Sequence, residues 1–179
     1  MEAADEALMA AYSGGDAAAF DVLYARHRGA LFRFVLRAVK SRALAEELYQ
    51  DVWIRVIEAR HGYAPTARFA TWLYTIAHHR LVDHWRRHEL VLAGEEQAAE
   101  LAAGPASDPA RRAEAREALE RFARALEALP HAQREAFLLH QEAGLTALEI
   151  AAVTGSETEA VKSRLRYAVA KLKAATDHG

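Results

Sequence analysis

Residues 146–173 read TALEIAAVTGSETEAVKSRLRYAVAKLK. Thr146 and Glu149 place a hydroxyl three residues ahead of an acid, which is the form of a capping box. Ser156 and Glu159 repeat that form, with Gly155 immediately before them. The pattern predicts a short helix, a tight turn and a longer helix, which is helix-turn-helix geometry. Val161, Leu165 and Leu172 would hold the last helix down, leaving Lys162, Ser163, Arg164 and Arg166 on its exposed sides near its start. These are donors suited to phosphates and guanine edges. Glu157 and Glu159 would repel phosphates if they faced DNA, and their alternative job is capping and compensating the helix dipole.

Upstream of this stretch the chain also reads as helix. Alanine, leucine, glutamate and arginine dominate, and alternating β-branched runs are absent. A short helix over Ala4–Tyr12 stops at Gly14-Gly15. Asp16 can cap the next, whose stripe is Phe20, Leu23, Tyr24, Leu31, Phe34, Val35 and Ala38. Ser41 can cap a third, with Ala45, Leu48, Tyr49, Val52, Trp53, Val56 and Ile57 on one face. Gly62 and Pro65 break the chain before a fourth helix, from about Ala67 to His88, carrying Phe69, Trp72, Leu73, Ile76, Ala77 and Leu81. Helices over about Ala113–Leu129 and from Pro130 to just before Gly144 lead into the helix-turn-helix. Residues 89–112 carry no strong apolar stripe, and Gly104-Pro105 and Asp108-Pro109 disfavour continuous helix there. The expected architecture is therefore all-α: two small helical domains, 1–88 and 113–179, joined by a flexible linker over 89–112.

Composition bounds the function. The chain has 179 residues, no cysteine and 52% apolar residues, so disulfides and thiolate metal sites are excluded while a packed core is expected. The acidic start MEAADEALMA is unlike a signal peptide, and no apolar run approaches the ~20 residues that span a bilayer, so a cytoplasmic protein without membrane insertion is expected. The net charge of −2 argues against a strongly basic, free-standing nucleic-acid binder. Its distribution says more. Arg26, Arg28, Arg33, Arg37, Lys40 and Arg42 form a basic run without an acid, and so do the basic residues from Lys162 to Lys173. The stretch from Glu89 to Asp108 is acidic without a base.

Two segments resemble the extracytoplasmic-function sigma factors of bacterial RNA polymerase. One is FDVLYARHRGALFRFVLRAVKSRALAEELYQDVWIRVIEA (20–59) followed by RFATWLYTIAHHRLVDHWRR (68–87); the other is residues 126–173. They stand in the family's order, with its linker between them. The resemblance implies that domain 1–88 binds core polymerase and reads and melts the -10 element, and that 113–179 reads the -35 element. The polymerase contact it implies falls on Glu47, Leu48, Gln50, Asp51 and Trp53. The -10 reader falls on the loop from Tyr63 to Arg68 with Trp72, Tyr74, His79 and Arg80, and Arg86 and Arg87 add charge. An opened strand needs rings to stack on and cations for its phosphates, and these residues offer both. The -35 reader falls on Lys162, Ser163, Arg164, Arg166 and Tyr167. The chain departs from the family at His78-His79, where asparagine usually ends the pair, and at the order Arg166-Tyr167. The resemblance also implies promoter DNA and an anti-sigma factor as partners, no cofactor and no catalysis by the chain itself.

The same residues bear on other functions. His84 and His88, like His79 and Asp83, stand four apart and can chelate a metal. The two pairs point well apart around one helix, so that helix alone makes no four-ligand site. No P-loop, nucleophile elbow or HExxH motif is present. A dimeric regulator using the same helix-turn-helix, with the first domain as sensor, would bind a palindrome without polymerase. A pure protein-interaction module fits the basic edge of the last helix less well.

Overall fold

The computed structural model describes residues 2–90 and 109–177. They form α1 (Asp5–Ser13), α2 (Ala17–Val39), α3 (Arg42–Ala59), α4 (Phe69–Leu90), α5 (Pro109–Glu127), α6 (His131–Ala143), α7 (Ala147–Thr154) and α8 (Thr158–Asp177). A single 3-10 turn, Arg60–Gly62, follows α3, and no strand occurs among the described residues.

Local chemistry sets the helix ends. Asp16 accepts from the Ala18 amide at 3.0 Å and Ser41 from the Leu44 amide at 3.4 Å, so both expected caps form. The Thr146–Glu149 capping box forms in both directions, at 3.2 Å from the Glu149 amide and 2.8 Å from the Thr146 amide. The second expected box differs. α8 begins at Thr158, one residue later than a Ser156 cap would place it. Ser156 Oγ instead accepts from Arg164 at 2.8 Å, and Glu159 pairs with Lys162 at 2.7 Å. The turn between α7 and α8 is made by Gly155 at φ 63, where its amide bonds back to the Ala151 carbonyl. A β-carbon there would meet open space, so backbone conformation alone selects glycine.

Helix enters the expected linker range from both sides. α4 runs to Leu90, and α5 starts at Pro109, because a proline in the first helical turn loses no hydrogen bond. The central part of that expectation, 91–108, lies outside the described residues.

In the N-terminal unit α2 packs on α1 and α3, and α3 packs on α4; in the C-terminal unit α8 packs on α5, α6 and α7. The periodic stripes are the buried faces: Leu23, Leu31, Phe34 and Val35 of α2, Leu48, Val52 and Val56 of α3, and Val161, Ala168 and Leu172 of α8. Each large aliphatic side chain so buried contributes roughly 1.5–3 kcal/mol. The two units also touch. α2 lies against α6 and α4 against α7, and the buried side chains of both units join in one cluster.

Candidate polymerase and nucleic-acid interface

On α3 the expected polymerase-facing residues divide by burial. Leu48 and Trp53 sit in the core, while Glu47 and Gln50 are exposed and Asp51 is half-buried. Trp53 packs edge-on against Phe20 at 5.8 Å and Tyr24 at 5.0 Å. The available surface is thus the row Glu47, Gln50 and Asp51, with exposed Ile54 one turn further on. Asp51 is engaged within the chain: it pairs with Arg80 of α4 and with Arg55 at 3.5 Å.

The loop after the 3-10 turn leads into an aromatic cluster. Tyr63 meets Trp72 at 5.1 Å and Phe69 at 6.3 Å, and Phe69 meets Trp72 at 5.9 Å. Tyr63 and Trp72 are half-buried and Phe69 is buried. Burial, helped by the negative charges of Glu6 and Asp5, raises the Tyr63 phenol above its ordinary range, so it stays a neutral ring. Glu6 also accepts from the Phe69 amide at 2.7 Å, which caps the start of α4 from another helix. α1 thereby fixes the loop in place.

Tyr74 is placed differently from its expected role. Its ring is 1% exposed and packs edge-on against Phe34 at 5.2 Å, so in this arrangement it fills the core and offers no face to a base. His79, Arg86 and Arg87 are exposed on α4, whereas Arg80 is only 11% exposed along its side chain and is held by Asp51. His78 turns inward and bonds Glu135 of α6 at 2.5 Å. Arg68 bonds both oxygens of Glu149 at 3.3 Å.

The histidines disperse. His84 and His88 stack at 5.0 Å, while His78 leaves toward α6. Burial first, then the neighbouring His88 and Arg80, lowers the His84 imidazole below its usual range. Among the described residues no three side chains come together as a metal cluster.

α8 presents the second surface. At 100° per residue, Ser163, Arg166 and Tyr167 lie opposite the buried Val161, Ala168 and Leu172, with Lys162 and Arg164 flanking them on either side. Tyr167 is 59% exposed, and the Arg166 guanidinium lies 6.0 Å from the centre of its ring. Arg166 also donates to Ser163 Oγ at 3.2 Å. Of the residues expected to read the -35 element, Lys162, Arg166 and Tyr167 are exposed near the start of the second helix of a helix-turn-helix, while Ser163 and Arg164 are half-buried and Arg164 is held by Ser156.

The sequence reading missed the polar residues between the units. Glu142 of α6 is 8% exposed along its side chain and receives Arg33 at 2.8 Å and also Arg37, both from α2. Arg134 is buried; it donates to the carbonyls of Leu126, Glu127 and Leu129 at 3.1, 2.7 and 2.9 Å and to that of Ala38 at 3.5 Å. One cation thus serves the carboxyl ends of α5 and α2, where helix carbonyls are left unpaired. The basic run on α2 was the available signal, but nothing local in the sequence names its acidic partners.

Residues 23–90 match the Sigma-70 region 2 model and residues 119–172 the Sigma-70 region 4 model. The chain is 33% identical to the RNA polymerase sigma factor CarQ of Myxococcus xanthus, over 92% of this chain and 93% of that one. The chain belongs to the extracytoplasmic-function sigma factors. It is 35% identical to the ferric citrate uptake sigma factor FecI of Escherichia coli, over 84% of this chain and 86% of that one. Its fold resembles CnrH in complex with the cytosolic domain of CnrY, with a TM-score of 0.71, 28% identity and 98% coverage of both chains. It also resembles the sigma factor RpoE bound to the anti-sigma factor NepR from Bartonella quintana, with a TM-score of 0.76, 22% identity and 89% and 97% coverage. Because the N-terminal unit matches region 2, the reading of that unit as the sensor of a dimeric regulator is not favoured. As a sigma factor the chain acts with core RNA polymerase in promoter-directed transcription. No described helix is long and apolar enough to cross a membrane.

Proposed function

We propose that this sigma factor divides promoter reading between its two units in a specific way. α8 reads the -35 element with Ser163, Arg166 and Tyr167, flanked by Lys162 and Arg164. The Tyr63–Trp72 cluster, with exposed His79, Arg68, Arg86 and Arg87, takes the -10 strand. Glu47, Gln50 and Asp51 of α3 face the polymerase, with Leu48 and Trp53 holding that row from beneath. The observation that carries this reading is the single donor-rich patch of α8 opposite its buried face. Direct readout needs side chains that leave a packed helix toward the major groove, and this patch supplies them.

The chain's own residues supply position and charge and no catalysis, and the bonds are made by the polymerase. On this reading the chain works in the cytoplasm beside that enzyme. The complexes of CnrH with CnrY and of RpoE with NepR support an anti-sigma factor as a further partner. The functional units are 1–88 and 113–179. The test is transcription in vitro with core polymerase. Lys162→Glu with Arg164→Glu should abolish transcripts from a -35-dependent promoter while core binding persists. Undiminished transcription would reject α8 as the reader.

A further inference from the structure

The contact between the two units is polar at its heart, and its chemistry is one-sided. The N-terminal unit contributes Arg33, Arg37, Arg68 and His78; the C-terminal unit contributes Glu142, Glu149 and Glu135. The carboxylates of Glu142 and Glu135 are 8% and 6% exposed along their side chains, so water satisfies little of either. A buried carboxylate that loses its partner is left with an uncompensated charge. Arg134 adds a tie from its own unit to the Ala38 carbonyl at the end of α2. The rings of Trp85 on α4 and His131 on α6 meet at a tilt, 4.7 Å apart.

This closed arrangement is too small for a promoter. The -10 and -35 positions lie about 25 base pairs apart, roughly 85 Å at about 3.4 Å per pair. A folded chain of 179 residues has a diameter of roughly 40 Å. The units must therefore separate before both elements can be read at once.

We propose that Glu142, clasped between Arg33 and Arg37, is the central latch of a self-closed state of this sigma factor. With the latch shut, Glu135 of α6 covers His78 and Glu149 of α7 pairs with Arg68, which stays exposed. Both promoter elements are reached only by the opened chain, so a polymerase that engages that form meets an apparent affinity reduced by the fraction of molecules that are open. The consequence for polymerase rests on the proposed function; the latch itself does not.

The test uses the full chain, whose lack of cysteine lets dyes be placed at will. Glu58→Cys on α3 and Ala170→Cys on α8, both exposed positions, report the distance between the units by energy transfer. The parent should show one short distance. Glu142→Arg should lengthen and broaden it, Glu142→Gln should do so less, and Glu142→Arg combined with Arg33→Glu and Arg37→Glu should restore it. Helical circular dichroism checks that each variant is folded, and the swap keeps the test decisive if the single reversal is not. Core-polymerase affinity should rise on the order of 3- to 10-fold for Glu142→Arg, as expected if the closed form outnumbers the open one by a similar factor. Distances unaffected by all three changes would overturn the latch; opening with no gain in affinity would overturn the consequence drawn for polymerase. Failure of the parent and every variant to bind polymerase would count against the function proposed above, and not against the latch, which the distances judge alone.

Discussion

Asp51 of α3 and Arg80 of α4 form an ion pair that joins the row proposed to face polymerase to the helix proposed to meet the -10 strand. Arg80 is 11% exposed along its side chain and Asp51 33%, so the pair is partly shielded from solvent and shared with Arg55. An acid placed here does two jobs, holding α4 against α3 and presenting charge outward. Removing Asp51 should cost about 1–2 kcal/mol of stability, below the value for a fully buried pair because water still reaches it. Asp51→Arg should lose stability and core binding together. Asp51→Arg with Arg80→Asp should regain the stability by urea unfolding and still fail to bind core. Recovered core binding in the swap would remove Asp51 from the polymerase surface.

The α8 patch predicts a salt signature. Lys162→Glu with Arg164→Glu takes away two cations flanking the proposed reading face. If each meets a phosphate, the slope of log affinity against log salt should become shallower by about 1–2. Binding of holoenzyme to a -35 fragment across a salt series measures it. An unchanged slope would place both residues off the DNA.

His78 and His79 are adjacent in sequence but serve different places, one bonded to Glu135 and the other exposed. His79→Asn should therefore alter which -10 sequences are used without changing stability by more than about 0.5 kcal/mol, the usual range for surface changes. A randomised -10 library transcribed by both proteins checks this. Identical sequence profiles would leave His79 with no part in base selection.

Glu149 gives a pH prediction with a definite sign. Burial alone would raise its carboxyl, but the Thr146 amide and hydroxyl and the Arg68 guanidinium hold it below its ordinary range. A depressed acid contributes stability that is present above its unfolded value, about 4.3, and lost as pH falls through the folded one. Glu149→Ala should cost about 1 kcal/mol at neutral pH, a typical capping loss. That difference from the parent should shrink as unfolding is measured below about pH 4. A penalty independent of pH would mean that the charge of Glu149 plays no part.

The helices were legible because periodicity reports burial. Leu23, Leu31, Phe34 and Val35 are buried on α2 as their spacing required, and Asp16, Ser41 and the Thr146–Glu149 pair cap as their side chains allow. Tyr74 shows where this reading stops. It stood off the expected stripe of α4, yet it is buried, because α2 also packs on α4 and sets Phe34 against its ring, so the apolar surface of α4 is wider than one stripe. Glu142 and Arg134 were not legible at all. On α6 a glutamate and an arginine read as solvated residues, and packing makes them interior: α2 brings Arg33 and Arg37 to Glu142, and the end of α5 brings the carbonyls that Arg134 meets. Contacts between distant segments are tertiary, and local spacing does not encode them.

The central claim is that this chain reads promoters as part of a polymerase. The most direct measurement is transcription in vitro from a library of -35 and -10 sequences, with core polymerase and this chain added separately and together. Transcripts from a defined promoter class should appear only when both are present, while the chain alone binds the same duplexes poorly. Tight, specific duplex binding by the chain alone, with no transcripts when core polymerase is added, would contradict it.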